Sequence, residues 1–158
     1  MKLILSLLTV LALLSCNQSS QPGDRGSNDS GTVKSVADNV PLTRATVKSE
    51  PVATFTKKVE NPINNWHFQV QLFETPQTFR YLMKLEYEEM REQDTLKIPN
   101  LGFEPKLEIR KGPEQYSCII GFIDNKNQFR EYKKVVATNN HLKVTTLKRY
   151  GVYLKPKE

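Results

Sequence analysis

Apolar positions recur with a period of two along most of the chain beyond residue 65, the signature of half-buried strands. Trp66, Phe68, Val70 and Leu72 alternate with His67, Gln69, Gln71 and Phe73, and Thr75-Pro76-Gln77-Thr78 follows as a turn. Phe79, Tyr81, Met83, Leu85 and Tyr87 then occupy every odd position, while of the intervening even positions only Leu82 is apolar. A helical template over 79–90 fits almost as well, but the aromatic content and the flanking turns favour a strand. Pro99-Asn100-Leu101-Gly102 and Lys111-Gly112-Pro113-Glu114 carry strong turn chemistry and bracket an alternating run over 106–110. Cys118–Ile123 is apolar on both faces and reads as a central strand. Asp124-Asn125-Lys126-Asn127 leads by a hairpin into Phe129–Val136. Asn139-Asn140 turns once more, and Leu142, Val144, Tyr150, Val152 and Leu154 share one face, which predicts a long last strand.

This pattern gives about seven strands and no long helix. The expected fold is all-β, a single β-sandwich with an immunoglobulin-like arrangement as one form and a small open barrel as the alternative. The Cys–Trp–Cys pattern of true immunoglobulin domains is absent.

The N-terminus follows different rules. Met1-Lys2 is basic, and Leu3–Leu14 is a largely apolar run of twelve residues. That is short of the roughly 20 needed to cross a bilayer and fits the hydrophobic part of a signal peptide. The run ends in Leu13-Leu14-Ser15-Cys16. This quartet resembles the lipobox of bacterial lipoproteins, with Leu at −3, a small residue at −1 and Cys at +1. The resemblance implies cleavage before Cys16 and a diacylglyceryl thioether on its sulfur, chemistry that needs the most nucleophilic side chain available. Two or three acyl chains, at about 0.8 kcal/mol per buried CH₂, anchor durably where one is marginal. Asn17 at +2, in place of Asp, implies the outer membrane, with the periplasmic face expected.

Composition then divides the rest. From Asn17 to about Glu50 the chain is rich in Ser, Asn, Gln, Gly and Asp and nearly free of aromatics, so it is expected to be a flexible tether. The expected organisation is a signal peptide over 1–15, lipidated Cys16 with its tether over 16–50, and the sandwich over 51–158.

The 158 residues carry 23 Lys+Arg against 17 Asp+Glu, a formal charge of +6. That charge is polarised. Residues 126–158 hold nine basic and two acidic groups, while residues 1–125 hold 14 and 15. Phe129, Tyr132, Tyr150 and Tyr153 interleave with the bases, a pattern that in another compartment would suggest nucleic acid. With a lipobox at the N-terminus, an anionic membrane surface, an acidic envelope partner or an anionic polymer is the physical alternative, and no nucleic acid is expected. The candidate binding residues are Trp66, Lys133, Lys134, Lys148, Arg149, Tyr150 and Tyr153.

Two Cys and two His leave no zinc pattern, so no metal and no cofactor is expected. Cys118 reads as an inert core residue, and His67 and His141 as surface residues. Glu86, Glu88, Glu89, Glu92 and Asp94 form an acidic segment in which Glu86 and Glu88 would share a strand face, at a spacing open to paired-carboxylate hydrolysis. Guarding an exposed edge is the plainer account of these charges. The chain has no Gly-x-Ser-x-Gly, His-Glu-x-x-His, glycine-rich phosphate loop or Ser-x-x-Lys. The expectation is therefore a non-catalytic lipoprotein, an accessory or assembly subunit of an envelope complex such as a secretion or surface machine. A strand edge at 79–90 or 142–154 would be offered to the partner. A lipoprotein binding a glycan or anionic polymer through Trp66, Tyr150 and Tyr153 is the alternative, followed by a hydrolase or hydrolase inhibitor.

Overall fold

The computed structural model describes residues 40–138 and 141–151. They form eight strands: β1 (Ala53–Lys58), β2 (His67–Glu74), β3 (Arg80–Tyr87), β4 (Met90–Lys97), β5 (Lys106–Lys111), β6 (Ser117–Ile123), β7 (Phe129–Thr138) and β8 (His141–Thr146). Two antiparallel sheets, ordered β1-β2-β3-β4 and β5-β6-β7-β8, pack together as a β-sandwich, with β1 lying against β5. Each sheet is a meander of sequential hairpins, and the chain changes sheet once, between β4 and β5. This differs from the Greek-key connections of an immunoglobulin domain.

The alternation read from the sequence sets the two inner faces. Phe68, Val70 and Leu72 of β2, with Met83 of β3, are fully buried from one side. Cys118, Ile120 and Phe122 of β6, with Val135 of β7, meet them from the other. Each large side chain removed from water in this way contributes roughly 1.5–3 kcal/mol. Edge-to-face and tilted aromatic pairs extend the core toward both ends. Phe55, Phe68, Tyr87 and Tyr116 run through one end at centroid spacings of 6.1, 6.5 and 5.3 Å. Phe103, Phe122, Tyr150 and Tyr132 run through the other at 6.4, 5.2 and 6.3 Å.

Three expectations need correction. Residues 79–92 are extended, as the aromatic content argued, but they span a hairpin. Tyr87 pairs with Met90 across a two-residue turn, and Glu88 takes the left-handed φ of 55° that such turns require. The supposed edge at 79–90 is therefore mostly β3, which is hydrogen-bonded on both sides.

The last strand is short. The β6–β7 register shifts between Ile120 and Gly121, leaving Tyr132 as the extra residue of a bulge. Its carbonyl accepts from Leu147 N (2.8 Å) and Lys148 N (3.4 Å), and the ladder ends at Thr146. Tyr150 then folds back, its hydroxyl donating to the Glu131 carbonyl at 2.8 Å. Val152 and Leu154, assigned to this strand from the sequence, lie outside the described residues.

Residues 40–50, read from composition as the end of the tether, are docked on the first sheet. Thr43 bridges Gln77, Thr78 N donates to Leu42 O (3.0 Å), and Arg44 N donates to Pro76 O (2.8 Å). The Arg44 side chain secures this strap. Its guanidinium donates to the carbonyls of Thr75 (2.8 Å), Gln77 (2.6 Å) and Thr78, and lies 4.7 Å from the centre of the Tyr81 ring. The packed unit begins by Val40, not at Pro51; residues 16–39 lie outside the described residues.

Candidate functional site

The bulge at Tyr132 helps to shape a concavity whose lining carries an excess of positive charge. On β7 the inward column runs Ala137, Val135 and then Lys133, because Lys133 pairs with the fully buried Ile120 and with Thr146. A cation thus stands where the alternation calls for a core residue, and its Nζ reaches Thr146 Oγ1 at 3.2 Å. The first sheet supplies Arg80, the first residue of β3, and Lys97, the last of β4. These two are direct cross-strand partners. Together with Asp94, Thr95 and Tyr132 they line a hollow of about 600 Å³. A second hollow, of about 370 Å³, shares Lys97 and Tyr132 with the first and is completed by Ile98, Pro99, Thr146, Arg149 and Tyr150.

The electrostatics of this cleft are one-sided. Arg80, Lys97, Lys133 and Arg149 form no ion pair among the described residues. The acids nearby are engaged: Glu131 pairs with Lys148 at 3.2 Å, and Asp94 accepts from Thr95 N at 2.6 Å. Burial raises the Tyr132 hydroxyl above its ordinary pKa, and the nearby Arg149 charge works in the opposite direction. The Tyr132 hydroxyl is therefore protonated at neutral pH and can donate a hydrogen bond.

The residues picked out from the sequence are only partly gathered here. Lys133, Arg149 and Tyr150 line the cleft. Lys134, on the opposite face of β7, pairs with Glu114 at 2.6 Å. Trp66 immediately precedes β2 at the far end of the sandwich, where its carbonyl accepts from Val59 N (2.9 Å) and the neighbouring Glu60 N donates to the Tyr116 hydroxyl. Tyr116 and Phe122 stand at opposite ends of β6, about 20 Å apart at 3.3 Å per residue, so Trp66 and Tyr150 cannot grip one small ligand. Cys16 and Tyr153 lie outside the described residues. Arg80, Lys97 and Tyr132 were not among the sequence candidates. Only the pairing of β3 with β4 and the packing of the two sheets bring them to Lys133 and Arg149.

The groups considered for catalysis are separated or occupied. Glu86 pairs with Arg91 at 2.8 Å, and Glu88 sits in the turn, so the two do not share a strand face. His67 pairs with Lys58 at one end of the first sheet, and His141 with Thr138 in the second. No group of three or more His, Cys, Asp or Glu side chains placed to hold a metal occurs among the described residues. Cys118 is fully buried, and burial pushes its thiol up to about 12. Among the described residues, both sheets end in an open strand on the side away from β1 and β5, namely β4 and β8.

No known protein family, no curated protein and no solved structure matches the chain.

Proposed function

We propose that the protein is a lipoprotein anchored through Cys16 at the periplasmic face of the bacterial outer membrane, and that its sandwich is a non-catalytic accessory or assembly subunit of an envelope complex. Leu13-Leu14-Ser15-Cys16, directly after a twelve-residue apolar run, carries the reading. The sandwich supports it with two strand edges that are open among the described residues, each able to accept a partner's strand through backbone hydrogen bonds. Of the two, β8 is the less guarded. β4 bears Arg91, Glu92, Asp94 and Lys97, the charged pattern that discourages pairing, whereas β8 bears Lys143 and the terminal His141.

The alternative that recruits Trp66, Tyr150 and Tyr153 to one glycan loses its shared surface, because Trp66 stands at the other end of the sandwich from Tyr150. Paired-carboxylate hydrolysis loses Glu86 to Arg91.

The test is a cross-linked pull-down of the full-length chain from native membranes, with Cys16→Ala as the control and the N-terminal peptide mass read from the same sample. A stoichiometric partner that vanishes in the control, with acylated Cys16, is the expected result. Unmodified Cys16, or an acylated protein with no partner, overturns the reading.

A further inference from the structure

The cleft between β4 and the β7–β8 side has a charge arrangement that packing alone does not account for. Arg80 and Lys97 face each other directly across an antiparallel pair, an arrangement that costs up to about 1 kcal/mol for like charges. Lys133 stands in an inward column otherwise made of Val135 and Ala137. Arg149 lies on a segment fixed by two hydrogen bonds to the Tyr132 carbonyl and by the Tyr150 hydroxyl on the Glu131 carbonyl. The four cations converge from three separate parts of the chain on adjoining hollows of about 600 and 370 Å³, a size suited to a small ligand.

We propose that this cleft binds a phosphoryl-bearing ligand. Arg80 in the larger hollow and Arg149 in the smaller serve as forked donors to phosphoryl oxygens, with Lys133 beside Arg80 and Lys97 lining both hollows as flanking point charges. Four positive charges against the one carboxylate of Asp94 favour a dianion over a single carboxylate. The planar guanidinium matches two oxygens of a phosphoryl group at once, which a lysine cannot do. The half-buried Tyr132, lining both hollows, offers an aromatic wall and a protonated hydroxyl to the remainder of the ligand. The fixed positions of the bulge and of the 147–150 segment mean that little ordering is needed on binding. The assignment is independent of the assembly reading, since it concerns only residues 80–150 of the folded unit.

The experiment is calorimetric titration of sodium pyrophosphate into the full-length chain carrying Cys16→Ala, at 0.15 M NaCl. Saturable 1:1 binding is expected, weakened at least tenfold by Arg149→Gln and by Arg80→Gln. Arg149→Lys keeps the charge but not the fork, and it should also weaken binding. Lys143→Gln, a charge loss on β8 outside the cleft, should change it less than twofold. The substituted side chains are solvent-exposed, and an unchanged unfolding midpoint confirms that each variant is folded. Absence of saturable heat, equal weakening by Lys143→Gln, full retention in Arg149→Lys, or equal affinity for succinate would each overturn the proposal. Flotation with phosphatidic acid vesicles, against phosphatidylcholine vesicles, separates the sources. Flotation abolished by Arg149→Gln identifies a lipid headgroup, and pyrophosphate binding without flotation identifies a soluble phosphorylated compound.

Discussion

Arg44→Ala should detach the strap over residues 40–50 and destabilise the whole sandwich. The arginine side chain is only 6% exposed, and its guanidinium serves three carbonyls, those of Thr75, Gln77 and Thr78. It also meets Glu104 at 3.3 Å and Glu74 at 4.0 Å, and covers the face of Tyr81. A hydrogen bond to a charged group is worth about 1.5–3 kcal/mol, and a cation over a tyrosine about 0.5–2 kcal/mol. These terms do not add, because the freed carbonyls lie near the surface and recover water, and Glu104 is 57% exposed and well screened. The net loss should be about 3 kcal/mol, near the lower end for breaking a buried charged contact. Arg44→Lys keeps a charge but can serve only part of the carbonyl set, so about half of that loss is expected. Urea unfolding of the full-length chain measures both. At a slope of about 1–3 kcal/mol per molar urea, the alanine variant's midpoint should fall by at least 1 M. Hydrogen exchange supplies the local readout: the amides of Arg44 and Thr78, which bond Pro76 and Leu42, should lose protection before those of β6. A midpoint within 0.2 M of the parent, or undiminished protection at Arg44 and Thr78, would refute the role assigned to this side chain.

Gly121→Ala should cost about 2 kcal/mol or more in unfolding free energy, because an added Cβ would lie within 2.6 Å of the Phe129 ring and close to the Arg130 carbonyl; a loss below 0.5 kcal/mol would contradict the packing. Cys118, buried and with its thiol pushed up to about 12, should resist iodoacetamide in the native protein and react only at the rate of opening, which quench mass spectrometry against urea can follow. The Gln128 N–H, with the Arg130 guanidinium and the Lys126 N–H, holds the Asp124 carboxyl below the usual aspartate range. Its contribution is therefore complete above the unfolded-state value near about 3.9 and is lost as the pH falls through the lower folded value. Asp124→Asn should be less stable than the parent at pH 7, and thermal unfolding should show that gap closing below about pH 4.

Much of the sandwich was legible because the inward columns of β2 and β3 keep the period of two throughout. Phe68-Val70-Leu72 and Tyr81-Met83-Leu85-Tyr87 alternate as half-buried strands must, and the doubly apolar Cys118–Ile123 lies inside its sheet. β4 was not legible as a separate strand. Two of its inward positions are Glu92 and Asp94, and the turn before it uses Glu88-Glu89 where a hairpin normally declares itself with Asn or Gly. The early end of β8 depends on the bulge at Tyr132, a register shift that leaves no trace in hydrophobic periodicity. The strap misled for a different reason. Its composition is that of a tether, and one side chain, Arg44, docks it. The cleft was half legible: the basic excess after residue 125 pointed to Lys133 and Arg149, but Arg80 and Lys97 lie far upstream in an unremarkable stretch.

The claim that the sandwich works through an open strand edge is tested most directly by photo-cross-linking in native membranes. A photoreactive residue is placed at Thr145 on β8 and, as the comparison, at Gln69 on the solvent-facing surface of internal strand β2. The account predicts one discrete heterologous adduct from position 145, lost in a Cys16→Ala background, and none from position 69. No adduct from position 145, or equal adducts from both positions, would contradict it.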